Sequence, residues 1–127
     1  MDKRLNKSEV VPCFCAAMVM YLPISTALDR LFALLGTDCL HKKYNDVLEV
    51  TICEVEGIAC WEVSEVLEIL FKKCSIEKVE AATKEYNGTV FIDISFVHKE
   101  KYPTLIFEGS VMQVIHKLHA EIGIDAY

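Results

Sequence analysis

Six cysteines and four histidines are the residues of this chain best able to do covalent or metal chemistry. His116 and His119, three apart, would share one face of a helix and could approach one metal ion. Two ligands do not complete a site, and no carboxylate is spaced to finish it. Cys13-x-Cys15 puts two thiols on one face of a strand. That is neither the C-x-x-C redox spacing nor half of a paired zinc motif. A Cys–His nucleophile pair has many combinations and no spacing that singles one out. The chain has neither a glycine-rich phosphate loop nor a G-x-S-x-G elbow. No catalytic residue, metal or cofactor is assigned, and the expectation is a protein that is not an enzyme.

Charge is more informative. The 127 residues carry 19 acids against 13 lysines and arginines, a net of −6. From 44 to 71 there is no basic side chain, while Asp46, Glu49, Glu54, Glu56, Glu62, Glu65 and Glu68 all fall there. The rest of the chain is nearly neutral, so the negative charge is local. Trp61, the single tryptophan, lies inside this run. Glu65 and Glu68 are explained by the start of a helix, whose dipole favours acids. Glu49, Glu54, Glu56 and Glu62, with Trp61 as an apolar anchor, are left as a candidate partner-binding face. The alternative surface is the outer side of the strand from Thr89 to His98. A pI near 5.2 argues against direct contact with nucleic acid.

The elements that must carry these residues read as one α+β domain over 11–127, behind a flexible polar tail at 1–10. Lys3, Arg4 and Lys7 before the uncharged run from Val10 to Ala27 have the layout of a signal peptide. Glu9, Pro12 and Pro23 instead favour a central strand from Val11 to Tyr21, buried on both faces. The same prolines break the best candidate for a membrane span, so no membrane contact is expected. Apolar content of 53% supports a core without staples, so the thiols read as reduced and the location as cytoplasmic.

Ser25 is expected to cap a helix with Leu28, Leu31, Phe32 and Leu35 on one stripe, stopped by Gly36. Residues 37–46 read as a loop. A strand over 47–55 and a second over 58–63 are separated by a Glu56-Gly57 turn. Ser64 caps the next helix, Ser75 another that ends at Asn87-Gly88. Thr89 to His98 alternates most clearly, with Val90, Ile92, Ile94 and Phe96 on one face. Thr104 to Phe107 reads as a strand, followed by a helix from Ser110 with Val111, Ile115, Leu118 and Ile122 inward. Gly123 stops it, and Ile124 to Tyr127 finishes at an edge. The expected architecture is a single twisted, mainly antiparallel sheet with helices packed on it, built from split β-α-β half-units.

Three stretches resemble one family. They are Leu34-Leu35-Gly36-Thr37-Asp38-Cys39-Leu40-His41-Lys42-Lys43, the Cys60-Trp61-Glu62-Val63 segment, and the ending from Pro103-Thr104-Leu105-Ile106-Phe107 through a helix to Ile124-Asp125-Ala126-Tyr127. Over 11–127 they look like the 4279 family of small bacterial domains of unknown function, whose members resemble acidic immunity proteins of toxin–immunity loci. The resemblance implies a cytoplasmic immunity protein that binds and neutralises a basic toxin domain, such as a nuclease. The alternative is a small regulatory or ligand-binding module that homodimerises through an exposed sheet face.

Overall fold

Strand β1, Cys13–Pro23, is the middle of a five-stranded sheet in a computed structural model that describes residues 11–127. The expected tail at 1–10 lies outside the described residues. The other strands are β2 (Leu40–Tyr44), β3 (Val47–Ala59), β4 (Thr89–Val97) and β5 (Glu121–Ala126), and the order across the sheet is β2-β3-β1-β4-β5. The helices are α1 (Leu28–Leu35), α2 (Val63–Phe71), α3 (Ile76–Tyr86) and α4 (Gly109–Leu118). All four pack on the sheet, and the fold is an open, mixed, mostly antiparallel α+β sheet.

β1 runs antiparallel to both β3 and β4, so those two are parallel to each other with β1 between them. β2 is antiparallel to β3, hence parallel to β1 with β3 between. Both crossovers, through α1 and through α2–α3, are therefore split β-α-β units. The third, β4–α4–β5, joins strands that are adjacent and parallel.

The core lies between the helices and one face of the sheet. Phe14, Met18 and Met20 of β1 and Ile92 and Ile94 of β4 are fully buried there. Against them stand Leu31 and Leu35 of α1, Val66, Leu67 and Leu70 of α2, and Val111, Ile115 and Leu118 of α4. The period-two alternation of β4 and the i, i+3, i+4 stripes of the helices position these side chains.

Several expectations are corrected. β1 is central but not buried on both faces: Cys13 and Cys15 are exposed, and Ala17 and Tyr21 half-buried. The loop expected at 37–46 contains β2, whose five residues are all exposed. An edge strand with one neighbour buries too little to carry an apolar pattern, and its lysines suit an edge. Asn45, at φ 46°, makes the tight turn into β3. The two strands expected over 47–63 are one. Gly57, at φ 68°, sits where the β1–β3 register shifts, so the turn signal marks a bulge.

Ser25 does not cap α1. The Thr26 amide and hydroxyl both donate to Pro23 O, at 3.0 and 2.7 Å, so a turn intervenes and Ala27 takes the cap position. Residues 104–107 make no strand beyond a single bridge from Thr104 to Glu62. α4 ends at Leu118, with His119 left-handed at φ 51°, and Ile122 and Gly123 belong to β5. Gly123 is a packing glycine rather than a stop: a Cβ there would come within 2.6 Å of Phe91 Cζ. The Phe91 ring lies across it, as aromatic rings do over glycines in neighbouring strands.

Candidate functional site

Among the described residues, nothing covers the face of the sheet opposite the helices. Cα partners across a ladder share a face, so the register tells which side chains meet there. In β1 they are Cys13, Cys15, Ala17, Val19 and Tyr21. In β4 they are Thr89, Phe91, Asp93, Ser95 and Val97, each paired with one of those five. β3 adds Glu49 beside Tyr21, Thr51 beside Val19 and Glu54 beside Ala17. β5 adds Glu121 and Asp125, partners of Phe91 and Ser95. Lys42 of β2 faces Glu49.

This surface has an apolar middle and an acidic surround. Val19 is 7% exposed and lies between Thr51 and Phe91. Glu54, Asp93, Glu121 and Asp125 are exposed, and Glu49 is half-buried. Beside the bulge, Glu54, Glu56 and Asp93 rim a shallow depression of about 200 Å³ floored by Cys15, Ala17 and Ser95. Its size and openness suit the tip of one protruding side chain rather than an enclosed substrate.

The negative potential registers on a neighbour. Tyr21's phenol is pushed above its ordinary pKa, by partial burial first and then by the Glu49 and Asp93 carboxylates and Tyr44. Ionising it would add a negative charge to a face already rich in them.

Trp61 and Glu62 are placed differently. They follow the end of β3 and lead into α2, outside the strands. Trp61 is half-buried; its carbonyl accepts from the Thr104 amide at 2.6 Å. Glu62 is exposed at the cap position of α2, with no side-chain cap bond. Ser64, expected as that cap, is inside the helix and 2% exposed. Its hydroxyl donates to Ile106 O at 3.0 Å and accepts from the Glu108 amide at 2.9 Å. It therefore fastens the 104–108 segment to α2.

The acidic run and the outer side of β4, which stand as rival surfaces in the sequence, share one face. Asp93, Glu121 and Asp125 are the carboxylates that sequence reasoning leaves out of it. Asp93 was legible as outward-facing from the alternation of β4; its neighbours were not, since pairing decides them. His116 and His119 have ring centroids 5.9 Å apart, and no group of three or more potential metal ligands occurs among the described residues. No helix among them is long and apolar enough to cross a membrane.

The chain matches no family model, no curated protein and no solved structure. The functional reading therefore rests on residues and geometry.

Proposed function

We propose that this chain is an immunity-type protein, which binds and neutralises a basic toxin domain through its open sheet face. The observation that carries the reading is the convergence of Glu49, Glu54, Glu56, Asp93, Glu121 and Asp125 on one sheet face around Val19 and Phe91, a face that no other described residues cover. Carboxylates in such an array steer a basic partner into encounter. At contact they pair with the arginines and lysines that a nuclease uses to hold phosphate. Half-buried Phe91 supplies the apolar anchor that charges lack.

The absence of any basic residue from 44 to 71 supports the same reading. A homodimer through this face would set its carboxylates against their own copies, which disfavours that mode of association. Trp61 and Glu62 would border the contact only if the partner extends past the end of β3.

The experiment is co-expression with the cognate toxin domain. The parent chain should protect cells and co-purify with the toxin, and the Glu54→Lys/Asp93→Lys variant should do neither. Undiminished protection by a folded double variant would remove the open face from the account.

A further inference from the structure

On the helical side of the sheet, three thiols gather around the end of α2. Cys53 belongs to β3 and is the Cα partner of Met18. Its Sγ lies 3.7 Å from Leu70 O in the last turns of α2. Cys74, four residues further on, places its Sγ 4.0 Å from Met18 Sδ. Both sulfurs thus lie over one strand pair, where the two thiols are neighbours. This contact holds the Cys74 thiol below its ordinary pKa, against the opposing effect of burial. The same contact, followed by burial, pushes Cys53 far up. Cys39 is close enough to be raised by both its own burial and, after Asp38, by Cys74.

Cys74 also lines a cavity of about 320 Å³ together with Lys72, Lys73 and Lys78. Cys53 does not line it. One residue of the pair therefore lines a cavity that three lysines also line, and the other lies behind it.

We propose that Cys74 and Cys53 form a thiol–disulfide exchange site for a small, carboxylate-bearing disulfide, the attacking thiol being Cys74 and the resolving thiol Cys53. The lysines attract the carboxylates of the incoming disulfide. The Cys74 thiolate attacks one of its sulfurs, forming a mixed disulfide and expelling the other half as a thiolate. Cys53, after losing its proton to solvent, attacks the Cys74 sulfur and expels the second half. Two protein thiols are oxidised by two electrons, and the small disulfide is reduced to two thiols. The product ties β3 to the turn between α2 and α3. This site is independent of the open face and of the toxin-binding reading.

The test uses the full chain and glutathione disulfide, read by peptide mass spectrometry over time. A lowered pKa enlarges the thiolate fraction by more than it weakens the nucleophile, so Cys74 should react faster than the exposed Cys13 and Cys15. A transient glutathione adduct at Cys74 should give way to a Cys53–Cys74 disulfide. Cys53→Ser should trap the adduct, and Cys74→Ser should leave Cys53 unmodified. Lys72→Gln/Lys73→Gln/Lys78→Gln should abolish the preference for glutathione disulfide over neutral hydroxyethyl disulfide. Faster reaction at Cys13 or Cys15, resolution by Cys39 in place of Cys53, or equal rates with the neutral disulfide in the parent would each overturn the proposal.

Discussion

Glu54 and Asp93 are both Cα partners of Ala17, one across β3 and the other across β4. Neighbouring strands are about 4.8 Å apart, so the two backbones stand roughly 10 Å from each other with only a methyl group between. Nothing in the spacing of the chain joins these carboxylates; the central strand does. The small side chain at the centre leaves room for a partner's cationic group to reach both.

Tyr21 is held protonated by its partial burial first and by the carboxylates of this face second. Its folded pKa is raised above the unfolded value near 10, so its contribution to stability is whole below about pH 10. That contribution is lost as pH climbs through the folded value. Denaturant midpoints of the parent should therefore fall more steeply above about pH 10 than those of Tyr21→Phe. Raised thiols such as Cys60 act in the same direction from a lower pH, which the Phe comparison cancels. Parallel curves would show that neither burial nor the carboxylates raise the Tyr21 phenol.

Ser64 bridges two backbone groups from inside α2. Ser64→Ala orphans the Glu108 amide and one acceptor interaction of Ile106, at a cost of about 1–3 kcal/mol. Urea denaturation reads the loss, and hydrogen exchange at Glu108 should rise. A change below about 0.5 kcal/mol would mean that water replaces the hydroxyl freely.

Ile92 is fully buried in β4, between β1 and the helices. Ile92→Ala should cost about 2–5 kcal/mol in the same assay, through lost burial and the cavity left behind. A surface-like cost would place the core on the wrong face of the sheet.

His119 holds a left-handed conformation just past α4, where glycine is favoured. His119→Gly should raise stability by about 1 kcal/mol, the strain relieved exceeding the added freedom of the unfolded chain. A lower melting temperature would show that the imidazole's contact with His116 matters more.

The fold was legible where one element dictates its own pattern. β4 alternates because helices cover one face and solvent the other, and Ser75 caps α3 by accepting from the Lys78 amide at 3.3 Å, as its position suggests. Legibility failed where pairing decides. β2 has no buried face to write into its sequence, and Glu56-Gly57 reads as a turn whether it reverses the chain or bulges it. Ser64 resembles a cap because serine suits a helix start, yet its partners come from 106 and 108. Of the candidate face, Glu49, Glu54 and Glu56 were visible as a charge anomaly. Asp93, Glu121 and Asp125 joined them only through the register, and Trp61 and Glu62 fell beyond the strand end.

The most direct test of the binding account is the association rate with the cognate toxin domain, measured at low and moderate salt. Three chains are compared: the parent, Glu54→Lys/Asp93→Lys on the open face, and Glu77→Lys/Glu85→Lys on α3. Both variants change net charge equally, but α3 lies in the helical layer. The account predicts an on-rate at least about tenfold lower for the open-face variant at low salt, a gap that narrows as salt rises, and little change for the α3 variant. Equal rates for the two variants, or an open-face variant as fast as the parent, would contradict it.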